Sequence, residues 1–132
     1  MPSSKPDLLV DHGNSRIKWA LSEGGTWVSG DPIRVRGEET DFSLLKGIET
    51  PQRILVSNSA GPQALACLED FCEGQWHLKP ETLGAKAAQC DVTNSYADPQ
   101  SLGSDRWLAM IAARQLCKGP LAVIDCGTAI TC

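Results

Sequence analysis

Residues Leu8–Leu21 read LLVDHGNSRIKWAL, and Leu121–Cys132 read LAVIDCGTAITC. In each, an apolar run reaches an Asp, one residue, a Gly and small amide or hydroxyl residues before apolar residues return. A polar turn between two buried strands is therefore expected twice. The Gly lets the backbone approach a ligand, and such a turn aims amide N–H groups and a hydroxyl at an anion. Asp11, at the strand end, can orient water or a hydrated metal ion beside that anion. Lys18, two residues after Arg16 on the second strand, adds positive charge on the same face. One copy alone reads as an ordinary hairpin, with Asp and Asn chosen for left-handed geometry; two copies favour the anion site.

Outward from the first turn, Leu8–Asp11, Arg16–Ser22 and Thr26–Ser29 are expected strands of an antiparallel meander, separated by HGNS and EGG. DFSLLKGI is expected to form a short helix and Arg53–Ala60, RILVSNSA, a central strand. Gly61-Pro62 opens a helix whose Leu65, Leu68, Phe71 and Cys72 fall on one face, with Pro62 suited to the first turn. WHLKP is expected to be a further strand, and the segment through DVTNSYADPQSLG a long irregular connection of the kind that often carries function. From Ser104, Trp107, Leu108, Ile111, Ala112, Gln115 and Leu116 mark an amphipathic helix stopped by Gly119-Pro120, and Leu121–Asp125 is the next strand. This order is an α/β arrangement of the ribonuclease H type. The second turn falls where a second meander would begin, so residues 1–119 are expected to be a first domain and 120–132 the start of a second, similar one.

The 132 residues carry 12 basic and 16 acidic side chains, a net charge of −4. No basic stripe is available to neutralise a nucleic-acid backbone or an anionic membrane, but backbone amides can still bind a small anion. Cysteines 67, 72, 90, 117, 126 and 132 contain no CxxC pair, which argues against a zinc site. With no apolar leader after Met1 and no 18-residue apolar run, a cytoplasmic protein with mostly buried thiols is expected. His12, inside the first turn, is expected to be exposed rather than catalytic, His77 structural or exposed, and RVRGEETD a solvated connection.

The two turns resemble the phosphate motifs of the acetate and sugar kinase, Hsc70 and actin superfamily. Within it, DHGNSRIK, YADPQSLGSDRW and DCGTAIT resemble, in order and internal spacing, the three signatures of type III pantothenate kinases, close to DxGNTxxK, YxxPxxLGxDR and DxGTAxT. The likeness spans Asp11–Thr131, and the middle signature is specific to that family. It implies a ribonuclease H-like, actin-like ATPase fold with a mixed sheet, here the first half of a duplicated protein. It implies ATP-dependent phosphorylation of pantothenate to 4′-phosphopantothenate, the first step of coenzyme A biosynthesis, by a homodimer using ATP with Mg2+ and a monovalent cation, K+ or NH4+.

Carried onto this sequence, the likeness makes Asp11, His12, Gly13, Asn14, Ser15, Arg16, Ile17 and Lys18 the first ATP loop, with Ser15 in place of the commoner Thr, and Thr128 a further ATP contact. Tyr96, Gly103, Ser104, Asp105 and Arg106 would line the pantothenate pocket, Asp105 would accept the proton and Asp125 would bind the monovalent cation. VSNSAG departs from the family's usual Ser-Ser-Val strand end, which leaves contacts from Ser57 or Asn58 open. The chemistry agrees: phosphoryl transfer to an alcohol needs positioning, charge stabilisation and a carboxylate to take the proton. From the residues alone, Asp105 could equally be an acid favoured in a first helical turn, and Arg106 a surface ion-pair partner. Two other functions fit the ATP turns, a kinase of another small alcohol or carboxylate and a non-catalytic accessory protein. The Tyr96–Arg106 segment argues against the first, and Lys18, Asp105, Asp125 and Thr128 against the second.

Overall fold

The computed structural model describes residues 4–126 and 130–131. The protein is α/β, with a mixed sheet and three α-helices among the described residues. It divides into two compact units, residues 1–83 and 84–132.

In the first unit the meander forms as expected, from β1 (Asp7–His12), β2 (Arg16–Glu23) and β3 (Thr26–Ser29). A two-residue β4 (Ile33–Arg34) also pairs with β2. After the short helix α1 (Ser43–Lys46), β5 (Ile54–Asn58) runs parallel to β1, and β6 (Glu81–Thr82) runs parallel to β5. The sheet order is β3-β2-β1-β5-β6, with β4 beside β2. A parallel pair requires a crossover, and α2 (Pro62–Trp76) supplies it between β5 and β6.

Strand parity decides the core. Leu8, Val10, Ile17, Ile54 and Val56 share one face of the sheet and pack with Leu68, Cys72 and Trp76, spaced four residues apart along α2. Burial pushes the Cys72 thiol up to about 12, with Glu69 adding to the shift, so this cysteine acts as a small apolar residue. At the meander's edge, a Cβ on Gly30 would lie 2.0 Å from the Trp19 ring, whose Nε1 donates to the Asp31 carbonyl at 2.8 Å. Only glycine admits that approach.

Two expected strands are corrected. WHLKP is not a strand: Trp76 continues the buried face of α2, and the helix breaks at His77, which takes left-handed geometry at φ 55°. The strand begins four residues later, where Glu81–Thr82 meets β5. Leu121–Ile124 is likewise outside any strand, and only Asp125–Cys126 of that run is paired. A strand is made by its neighbour, and an apolar run carries no record of where the neighbour lies.

The second unit begins with a hairpin of β7 (Ala88–Gln89) and β8 (Val92–Thr93). Its two-residue turn, Cys90-Asp91, has φ of 49° and 65°, both positive, as a tight hairpin requires. A 3-10 turn (Pro99–Ser101) then leads into α3 (Ser104–Leu116). The long connection is thus more regular than expected, because its turn residues are not the usual Asn-Gly. Trp107 is fully buried with Leu102 and Ala85, against Val92, Met110 and Ile111. Arg114 donates to the carbonyls of Cys117, Lys118 and Gly119, closing the end of α3. Antiparallel β9 (Asp125–Cys126) and β10 (Ile130–Thr131) end the described chain.

The expectation of mostly buried cysteines is also corrected. Cys72 is buried and Cys67 half-buried, but Cys90, Cys117 and Cys126 are exposed, and these five are free thiols. Cys90 lies in the turn between β7 and β8 and Cys117 at the end of α3, where neither side chain meets a core. Cys132 lies outside the described residues.

Candidate active site

In the first turn, Asp11 occupies the penultimate position of β1, directly across from Lys18 on β2 and beside Ser57 on β5. Cross-strand partners share a face, so Asp11 and Lys18 lie together on the side of the sheet away from the core, and both are exposed. The Gly13 N–H donates to the Arg16 carbonyl at 3.0 Å, leaving Asn14 and Ser15 exposed at the tip. A Cβ on Gly13 would sit 3.2 Å from that carbonyl, a contact tighter than ordinary van der Waals spacing that glycine avoids. The Val35 N–H donates to the Ser15 carbonyl at 3.0 Å and pins the tip to the chain after β4.

His12 is not exposed. Its exposure is 2 %, because β1 extends one residue further than expected and its alternation puts Leu8, Val10 and His12 inward. The His12 Nδ1 lies 3.2 Å from the Gly13 carbonyl, and the His12 carbonyl accepts the Ser59 N–H at 3.0 Å. Ile17 is also fully buried, so only its backbone can reach a ligand. Asn58 spends its side chain on the entry to α2, donating to the Gly61 carbonyl and accepting the Ala60 N–H. His77 is exposed, as expected, with Nδ1 3.9 Å from Glu73 Oε1.

The second Asp repeats the position of the first. Asp125 is penultimate to the connection between β9 and β10, as Asp11 is to that between β1 and β2. The register differs by one residue: Asp11 pairs with a residue seven further on, Asp125 with Thr131, six further on. Thr128, with the rest of this turn, lies outside the described residues.

The middle signature shapes the second unit. A cleft of about 490 Å³ is lined by Asn94, Tyr96, Arg106, Met110, Arg114 and Asp125, among others, a size typical of small-molecule sites. Tyr96, Arg106 and Asp125 thus share one cavity, although 29 positions separate the first from the last. Asp105 is half-buried in the first turn of α3, next to Arg106. A Cβ on Gly103 would stand 2.8 Å from Asp105 Oδ1, so the glycine makes room for the carboxylate to lean over the helix start. Gly103 caps α3 without a side-chain hydrogen bond, and free N–H groups of a helix start favour negative charge. Among the described residues, no three His, Cys, Asp or Glu side chains are grouped to hold a metal ion.

Asn94 is a residue that the sequence reading passed over. It is 9 % exposed, and its side chain ties two points of the loop together. Its Oδ1 accepts the Tyr96 N–H at 3.0 Å and its Nδ2 donates to the Pro99 carbonyl at 3.0 Å. The signal lay in the N-x-Y spacing, an Asn able to accept from the amide two residues on. Replacing Asn94 with Asp keeps the acceptor but loses the donor and sets an acceptor against the Pro99 carbonyl. We expect a stability loss of about 1–3 kcal/mol, read by urea denaturation, with faster amide exchange confined to residues 95–103.

The family model described as type III pantothenate kinase matches residues 7–132. The chain belongs to the type III pantothenate kinase family. It is 38% identical to the type III pantothenate kinase of Nitrosococcus oceani, over 94% of this chain and 50% of that protein. To that of Paraburkholderia phytofirmans it is 43% identical, over 99% of this chain and 49% of the relative. To that of Burkholderia vietnamiensis it is 45% identical, over 84% and 43%. The chain therefore spans about half the length of the curated relatives it matches. No helix among the described residues is long and apolar enough to cross a membrane.

Proposed function

We propose that the full-length protein phosphorylates pantothenate at its 4′-hydroxyl at the expense of ATP, opening coenzyme A biosynthesis in the cytoplasm. The observation that carries this reading is the cleft shared by Tyr96, Arg106 and Asp125, with Asp105 at the helix start beside Arg106, in a member of this family.

In this reading the chain has the ribonuclease H-like, actin-like ATPase fold, with residues 1–119 a first domain and 120–132 the opening of its duplicate. Asp11 through Lys18 hold the phosphates of ATP. His12 and Ile17 contribute backbone groups and hold the turn from the core side, while Gly13, Asn14, Ser15, Arg16 and Lys18 face the ligand. Thr128 gives a further contact from the second turn. Tyr96, Gly103, Ser104 and Arg106 bind pantothenate, and Arg106 offers a planar fork to its carboxylate or carbonyl.

The 4′-oxygen attacks the γ-phosphorus as the bond to the β,γ-bridging oxygen breaks. Asp105 takes the hydroxyl proton, and ADP leaves with the bonding electrons. Mg2+ would come with ATP and would offset phosphate charge. Asp125, a carboxylate lining the same cleft, would hold the monovalent cation, K+ or NH4+, whose positive charge would help to offset that of the phosphates. The protein acts as a homodimer.

The test is mass-spectrometric detection of phosphopantothenate after the full-length protein is incubated with ATP, pantothenate, Mg2+ and K+. We expect product, in amounts that rise with enzyme concentration. ATP binding without phosphopantothenate would overturn the reading in favour of an accessory role, and transfer to another alcohol in a substrate panel would reassign the acceptor.

A further inference from the structure

The segment containing RVRGEETD is not merely a solvated connection. Its first arginine, Arg34, lies in β4 directly across from Arg16 on β2, and Ile33 lies across from Ile17. Both isoleucines are buried, which turns Arg34 and Arg16 to the face away from the core. Lys18 follows Arg16 by two residues and shares that face, with Asp11 across from it. Three cations therefore border one side of the first turn, and all three are exposed. The hydrogen bond from Val35 N–H to the Ser15 carbonyl fixes β4 against the tip, so Arg34 is held there by the backbone.

Like charges directly opposite on neighbouring strands oppose folding. Arg16 and Arg34 are so placed, on the face that also carries Lys18 and Asp11. In a chain of net charge −4, with acidic residues in excess, local basic crowding at an anion-directed turn needs a reason. A polyanion bound at the turn removes the repulsion and uses two guanidinium groups, each able to hold two phosphate oxygens.

We propose that Arg34 contacts the phosphates of the bound nucleotide, completing with Arg16 and Lys18 a cationic rim on the outer side of the turn. The rim rests on the functional reading above. It adds a residue some twenty positions beyond the turn, delivered by a strand too short to be seen in the sequence.

The test compares Arg34→Gln and Arg34→Lys with the unsubstituted full-length protein. Its measurements are ATP affinity by calorimetry, KM for each substrate, and melting temperature without nucleotide. We expect Arg34→Gln to weaken ATP binding about three- to tenfold at low salt, leave the KM for pantothenate unchanged, and hold or raise the melting temperature as the repulsion is relieved. Arg34→Lys should fall between the two, and the difference should shrink as salt is added.

Unchanged ATP affinity in Arg34→Gln at low salt would overturn the proposal. So would an equal rise in both KM values with a lower melting temperature, which marks damage to the fold. If the unsubstituted protein binds no nucleotide, the functional reading fails instead. The rim is then judged with inorganic triphosphate, which Arg34→Gln must bind more weakly for the proposal to stand.

Discussion

Asp105→Asn in the full-length protein is expected to lower kcat by about 10²- to 10⁴-fold, the usual weight of a positioned general base, while the protein stays folded. The substitution removes one proton-accepting oxygen and almost nothing else. Asp105 is half-buried in the first turn of α3, outside the buried cluster built on Trp107, so no core packing changes. Asn keeps the shape of the side chain that lies over Gly103. The small loss expected is that of a negative charge near a helix start, about 0.3–1 kcal/mol. The two quantities therefore separate: kcat for phosphopantothenate formation should collapse while the melting temperature moves little. KM for pantothenate should change less than kcat, because the amide can still accept a hydrogen bond from the hydroxyl. A kcat within tenfold of the unsubstituted protein would remove Asp105 from the role of base and leave it as an acid that favours the helix start.

Trp107→Ala should have the largest effect on stability. Trp107 is fully exposed to neighbours and not at all to solvent: Leu102, Ala85, Val92, Met110 and Ile111 form one cluster with it. Its Nε1 also donates to Gln89 Oε1 at 3.1 Å, tying α3 to the β7 strand. Removing a buried indole costs about 3–5 kcal/mol, against a total of roughly 5–15 kcal/mol for a typical domain.

Residues 84–132 have a small buried cluster of their own, whereas the first unit has a separate core built on Leu8, Val56 and Leu68. The loss should therefore be local. Hydrogen exchange read by mass spectrometry is expected to show deprotection of α3 and the β7–β8 hairpin, with β1 and β5 still protected. Trp107→Phe separates the two contributions: it keeps most of the packing and loses the hydrogen bond, for about 1 kcal/mol. Uniform deprotection of both units in Trp107→Ala would show instead that they unfold together.

Local chemistry settled much of this protein in advance. The alternation of Leu8, Val10 and Ile17, with Gly13 between them, was enough for the first hairpin, because a period of two and a turn residue are properties of neighbours in sequence. Gly61-Pro62 and the one-face spacing of Leu65, Leu68, Phe71 and Cys72 were enough for the start and body of α2, though not for its last turn at Trp76, and the periodicity from Ser104 through Trp107 to Leu116 was enough for α3. The motif residues also made the family legible before any coordinates, since their spacing is itself the record.

What the sequence left undetermined depends on residues far apart in the chain. His12 belongs to the core because β1 is paired on both sides to its last residue, with Ile17 and with Asn58. Neither partner can be inferred from HGNS alone. Strands β4 and β6 are two residues each, too short to show any period, and exist because β2 and β5 offer them an edge. The same holds for function: Tyr96, Arg106 and Asp125 meet in one cleft only through the path of the chain between them, and Arg34 reaches Arg16 only through β4. Periodicity specifies elements, but a site is specified by which elements become neighbours, and that is decided by burial within each unit, of Leu8 and Val56 in the first and of Trp107 in the second.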